Sequence, residues 1–250
     1  MSGHSKWATI KHKKAATDAK RGKIFSKIAH EITICCRQSG GDPSANITLR
    51  ALIQKGKAAN MPADNIDRAI KKGTGELDDG IQLEEIAYEG FAGGGIGVIV
   101  QVLTDNKNRS AAEVRHIFTR NNVNLGAQGS VSRGFKRKGQ IRVDGAKVSE
   151  DRLMEVCLDA GMEDLVAEDG QFVITTDPAS YPKAMEALAK ANIPAEQSEV
   201  TMVPDLWISV SEVSVAKEVM RFVEALEDLD DVQNVYTNMD VDEAILKDLE

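Results

Sequence analysis

Aromatic residues make up only 4% of this 250-residue chain, so its cores must be built from Ile, Val, Leu, Met and Ala. Long apolar runs are absent as well. The most apolar window, Ile96 to Leu103, falls far short of the roughly 18 residues a membrane helix requires and suits one buried strand. No membrane partner is expected. Cys35, Cys36 and Cys157 are the only cysteines; an odd number with two adjacent is a poor disulfide framework. Reduced thiols, and no secretory hydrophobic region after Met1, fit a cytoplasmic location.

Motifs that carry chemistry are missing too. His4, His12, His30 and His116 are scattered and no Cys-x-x-Cys pair occurs, which leaves no metal-ligand spacing. Gly90 and Gly95 have Walker-type separation, but Ile96-Gly97 stands where Lys-Ser/Thr is required, so a hairpin turn accounts for the glycines. No Ser or Cys occupies a nucleophile elbow. The acid pairs Glu84-Glu85 and Asp230-Asp231 read as surface charge. No cofactor, metal, small-molecule substrate or enzymatic activity is expected.

What is present is a steep charge gradient. The net charge of -8 conceals +10 over residues 1–75, zero over 76–140 and -18 over 141–250. Between Lys6 and Lys27 eight bases face one acid, Asp18. Solubility is served by mixed signs, whereas a like-charged block of this size reads as a polyanion grip. The candidate nucleic-acid contacts are Lys6, Trp7, Lys11, His12, Lys13, Lys14, Lys20, Arg21, Lys23, Lys27, Lys71 and Lys72. Trp7 suits either base stacking or anchoring of the arm on its own bundle. Arg133, Lys136, Arg137 and Lys138 form a possible secondary patch. Asp105 to Arg109, at a strand-to-helix junction, reads as capping and turn chemistry.

Periodicity divides the chain into three parts. In residues 1–75, a basic helical domain, a helix from Asp18 turns Ile24, Phe25, Ile28, Ile32, Cys35 and Cys36 inward and leaves Lys20, Lys23 and Lys27 as a cationic ridge. A second helix starts at Asp42-Pro43, with Asp42 as N-cap. A third follows Met61-Pro62, with Gly73 as its stop. Residues 80–130 supply two strands joined by a glycine hairpin, then a helix opened by a capping box at Ser110. Residues 131–204 read β-α-β-β-α-β, the order of a ferredoxin-like plait, with strands near 140–143, 163–168, 171–176 and 196–203 and a second helix starting at Asp177-Pro178. Residues 205–240 add a β-α-β tail that completes the sheet of 80–130. The expected fold class is α+β multidomain: a basic three-helix domain followed by two α/β domains, one ferredoxin-like and inserted into the other.

The stretches Gly3 to Ala16 and Asp18 to Phe25 resemble the opening of the YebC/PmpR family. Asn60 to Ile66, Arg68 to Gly73, Tyr88-Glu-Gly90, Thr104-Asp-Asn106, Asn108-Arg109, Glu113-Val-Arg115 and Gly129-Ser-Val131 continue the resemblance in order. It implies the same nested three-domain arrangement and a cytoplasmic, non-enzymatic regulator. The bacterial members are described as probable DNA-binding transcriptional regulators. A mitochondrial relative implies the alternative of a ribosome-associated translation factor that assists proline-rich stretches through ribosomal RNA. After Gly129-Ser-Val131 the family commonly continues in a manner resembling Ala-Trp-Met-Phe, where this chain has Ser132-Arg133-Gly134-Phe135.

The expected function is therefore a nucleic-acid-binding regulator of gene expression. Its expected partner is DNA or ribosomal RNA, the latter on the ribosome. A rival of another class is a protein-interaction adaptor acting through the acidic C-terminal domains. The plait shares the strand order of an RNA-recognition module, but it lacks the aromatic strand pattern and is acidic, so it is expected to meet protein or act as a spacer.

Overall fold

The computed structural model describes residues 18–77, 83–168 and 170–246. Three helices come first: α1 (Asp18–Ser39), α2 (Ile47–Ala58) and α3 (Ala63–Thr74). They enclose Ile28, Ile32, Cys35, Cys36, Leu49 and Ile66, with Phe25 packed at the edge. Ile24, expected inward, is instead exposed. Two local expectations also need correction. Asp42 does not cap α2: its carboxylate is taken by the Ser44 backbone N–H at 2.8 Å and hydroxyl at 2.7 Å. Asn46, four residues on, has the extended backbone of an N-cap and accepts from Leu49 N–H at 3.0 Å. Gly73 does not end α3 either. It is buried inside the helix, and an added Cβ would lie 2.5 Å from Cys36 Cβ and 2.6 Å from the Thr33 carbonyl oxygen. The stop is Gly75, whose φ of 81° suits glycine.

Next, β1 (Glu84–Ala92) and β2 (Ile96–Thr104) pair antiparallel through the turn Gly93–Gly95. Then α4 (Lys107–Arg120) and the short β3 (Asn124–Leu125) follow. The capping box expected at Ser110 is absent: α4 is capped four residues earlier, where Asn106 accepts from Arg109 N–H at 3.1 Å. Ser110 is buried inside the helix because its hydroxyl is committed elsewhere, as described below.

Residues Arg133–Leu206 form one compact unit. It contains β4 (Phe135–Asp144), α5 (Glu150–Cys157), β5 (Met162–Glu168), β6 (Gln171–Thr176), α6 (Tyr181–Lys190) and β7 (Ala195–Pro204). The strand order β5-β6-β4-β7, antiparallel throughout, is that of the ferredoxin-like plait. Ile141, Val143 and Ile174 pack under Leu153, Cys157, Ala184 and Leu188 of the two helices. β4 starts five residues before its expected position, because its pairing with β7 extends to Phe135 opposite Pro204. α6 starts later than Asp177, whose carboxylate caps a turn by accepting from Ala179 N–H at 2.9 Å.

The chain then returns to the first α/β domain with β8 (Ile208–Val210), α7 (Val213–Glu227), β9 (Val232–Thr237), β10 (Met239–Val241) and α8 (Glu243–Leu246). β9 pairs with β2 and completes a sheet ordered β3-β1-β2-β9. Of the β-α-β tail expected to complete that sheet, only β9 joins it; β8 instead pairs in parallel with β10, a strand the sequence pattern does not announce. Phe118 of α4 and Phe222 of α7 meet edge to face, centroids 5.0 Å apart, in the core of this domain. The described residues up to Ser132 and from Trp207 onward make up the second compact unit.

Two glycines of the helical module test this packing. Gly73→Ala forces α1 and α3 apart and is expected to lower stability by about 1–3 kcal/mol. Gly22→Ala, in open space on α1, is expected to raise it by about 0.5–1 kcal/mol. Urea unfolding midpoints check both signs.

Candidate nucleic-acid interface

Of the candidate contacts, Lys6, Trp7, Lys11, His12, Lys13 and Lys14 lie outside the described residues. Lys20 and Arg21 belong to the first turn of α1. Lys23 and Lys27 are half-buried, and both are engaged by a neighbouring helix end rather than standing free as a ridge. Lys23 Nζ donates to the Asp228 carbonyl at 2.5 Å and stands 3.8 Å from the Asp228 carboxylate. Lys27 Nζ donates to the Glu227 carbonyl at 3.1 Å. Both acceptors belong to the C-terminal turn of α7, which has no basic residue of its own. Terminal carbonyls of a helix lack intrahelical partners and carry the negative end of its dipole. A cation there contributes about 0.3–1 kcal/mol when exposed, so α1 supplies what α7 lacks.

His30, one turn beyond Lys27, continues the contact: its Nδ1 lies 3.4 Å from Gln233 Nε2 of β9. Burial pushes the His30 pKa down; Asp231 and Asp105 oppose that shift, and Lys72 of α3 adds to it. Elsewhere in the helical module, Lys57 of α2 and Arg68 and Lys71 of α3 are exposed. Lys55 is paired with Glu31 at 3.0 Å, and Arg50 hydrogen-bonds the Pro43 and Ser44 carbonyls.

The secondary patch is half neutralised within the plait. Lys136 pairs with Asp205 at 2.7 Å and Lys138 with Glu163 at 2.5 Å, while Arg133 and Arg137 are exposed. Its residues lie on β4 and the turn before it.

Two buried carboxylates organise the surroundings, and neither is recognisable from sequence pattern alone. Asp231, which reads as surface charge in the sequence, is 7% exposed. It accepts from Ser110 Oγ at 2.6 Å, Thr104 Oγ1 at 3.0 Å and Arg109 Nη2 at 2.8 Å. Burial pushes its pKa up, but the bonds from Ser110, Arg109 and Thr104 outweigh this and hold it below the ordinary aspartate range. The signal for this site lies in Thr104-Asp-Asn and Asn108-Arg109, a capping junction that gives no hint of its distant acid.

Glu89 is 2% exposed. It accepts backbone N–H bonds from Gly129 at 2.9 Å, Val131 at 2.7 Å and Ser132 at 2.9 Å, and a fourth from Ser132 Oγ at 2.8 Å. Burial raises its pKa, and the backbone donors with the hydroxyl more than reverse the shift. Tyr88-Glu-Gly90 and Gly129-Ser-Val131 are thus two halves of one anion cradle. Ser132, the first residue to depart from the resembling pattern, adds a donor that an alanine lacks.

Little else in the described residues offers chemistry. No cluster of three metal-ligating side chains occurs among them, and the three cysteines are buried and unpaired, with burial pushing Cys36 up to about 11. An open groove beside α6, lined by Met185, Leu188, Asn192, Ile193 and Pro194, carries no titratable group. No helix among the described residues is long and apolar enough to cross a membrane.

A basic three-helix module, joined to an α/β domain that carries a ferredoxin-like insert, defines the architectural class of this protein. The chain belongs to the TACO1/YebC family: residues 5–76 match the TACO1/YebC N-terminal domain and residues 83–239 the TACO1/YebC second and third domain. A relative from Treponema denticola is 50% identical over 97% of this chain and 98% of its own length. One from Chlorobaculum tepidum is 49% identical over 100% of this chain and 99% of its own. Both carry the name "Probable transcriptional regulatory protein", so regulation is the function the family's names assign. A crystal structure of a conserved hypothetical protein from Aquifex aeolicus, 46% identical, superposes with a TM-score of 0.84 over 97% of this chain and 99% of that one.

Glu89→Ala leaves three backbone donors without their acceptor and is expected to destabilise by about 3 kcal/mol, against about 1 kcal/mol for Ser132→Ala; thermal and urea unfolding measure the difference. For His30 the folded pKa lies below the unfolded value of 6.5, so the unfolded state takes up the proton first. Stability is therefore expected to fall as pH drops from 6.5 toward the lowered folded value, and to level off below it. His30→Gln is expected to flatten that part of the profile; an equally steep profile in the variant contradicts the assignment.

Proposed function

We propose that this chain is a nucleic-acid-binding regulator of gene expression, a DNA-binding transcriptional regulator in its leading form, acting without catalysis in the cytoplasm. The observation that carries the reading is the segregation of charge, +10 over residues 1–75 against -18 over 141–250. Neutralising phosphates with Lys and Arg releases condensed counterions, which makes a basic module a sequence-independent grip on any polyanion. The exposed Lys57, Arg68 and Lys71 add cationic surface on α2 and α3. The acidic remainder disfavours a second footprint and confines the grip to one end. The names of the relatives support regulation as the purpose of binding. The resemblance to a mitochondrial translational activator favours ribosomal RNA as the second reading.

Reversing Lys11, Lys13 and Lys14 to Glu is expected to weaken duplex binding by at least about tenfold. It should also reduce the slope of log K against log salt, by about 0.9 for each phosphate that is no longer neutralised. Unchanged affinity and slope would sink the phosphate grip. Crosslinking in cells, followed by sequencing of the attached nucleic acid, separates the two readings: discrete genomic fragments support transcription, and ribosomal RNA supports translation.

A further inference from the structure

Lys23, Lys27 and His30 are spaced i, i+4, i+7, so they form one stripe of α1. That stripe faces the C-terminal turn of α7 and the start of β9, through the Glu227 and Asp228 carbonyls and Gln233. It is polar rather than apolar. Gln233 Oε1 is buried without a hydrogen-bond partner among the described residues, and Lys23 and Asp228 keep 38% and 70% of their side-chain surface exposed. Charges of both signs act on His30: Asp231 and Asp105 oppose the lowering by burial, and Lys72 adds to it. The α7 terminus offers these lysines terminal carbonyls beside a carboxylate, an arrangement that imitates a phosphodiester.

We propose that this stripe is a polar latch that seats the helical module on the end of α7, and that a polyanion opens it by competing for Lys23 and Lys27. The proposal rests on the nucleic-acid reading above and adds regulation to it. In the latched state the α7 terminus occupies two cations of the grip, so apparent affinity is lowered by the fraction of molecules latched. Binding of nucleic acid transfers those lysines to phosphate and frees the helical module to move against the α/β domain. Salt weakens the exposed part of the contact by screening.

The test uses the full chain and two labelled probes at fixed ionic strength, a short DNA duplex and a single-stranded RNA of equal length. Hydrogen exchange is followed over residues 22–30 and 227–233. Three variants divide the causes. Gln233→Ala removes the His30 contact without changing charge, Asp228→Lys repels the latch, and Glu218→Lys places the same charge change on the exposed face of α7. Protection at both segments is expected to fall when a probe binds. Gln233→Ala should bind more tightly than the parent, and Asp228→Lys more tightly than Glu218→Lys, by about tenfold for a module latched nine-tenths of the time. A protein that binds a probe with both segments unchanged, or whose Asp228→Lys and Gln233→Ala variants show no gain over their references, overturns the latch and leaves the nucleic-acid reading standing. A parent chain that binds neither probe overturns that reading, and the competition with it.

Discussion

The buried carboxylate of Asp231 is the interaction on which the second compact unit depends. It binds the end of β2 through Thr104 and the first turn of α4 through Arg109 and Ser110, and its own carbonyl accepts from Leu103 N–H at 2.8 Å. The chain reaches this point only after passing through the whole inserted plait. On its return it must find antiparallel register on β2, where the pairing shifts at Gln101/Val102. Isolated in an apolar interior, such a charge would be strongly unfavourable. Ringed by donors, it stays ionised and fixes one register. Its contribution is complete above the unfolded pKa of 3.8 and is lost as pH falls through the lowered folded value.

Glu89 does similar work where the chain leaves for the insert. Its cradle pins the loop from Gly129 to Ser132, and Val131 is then pressed against Gly97, where an added Cβ would come within 2.6 Å of its side chain. One buried acid therefore guards the departure toward the plait and another the return. The helical module meets the α7 terminus through polar contacts of Lys23 and Lys27, in contrast to the apolar cores on either side.

Local pattern carried most of the architecture. The apolar stripe of α1, the glycine hairpin and the β-α-β-β-α-β order depend on periods of 3.6 and 2, which neighbours in sequence enforce. Helix starts were less legible because several side chains compete for each cap. Asp42 and Asn46 both suit an N-cap, as do Asn106 and Ser110. Which one serves depends on where the others are spent: Asp42 on Ser44, and Ser110 on Asp231. Gly73 had the sequence context of a stop, and only the approach of α1 to within van der Waals contact reveals it as a packing residue.

The amino-acid sequence by itself determined the three-part order, the charge segregation and the family, because each is written in composition, periodicity or contiguous motif. It also showed that Lys23 and Lys27 share a helical stripe. Tertiary structure alone decided what that stripe faces. Lys23 and Asp228 are 205 residues apart, and no local rule links them. Hydrogen-bond partners are chosen by proximity in space, so the fold decides which charges remain available to a partner and which are spent within the chain.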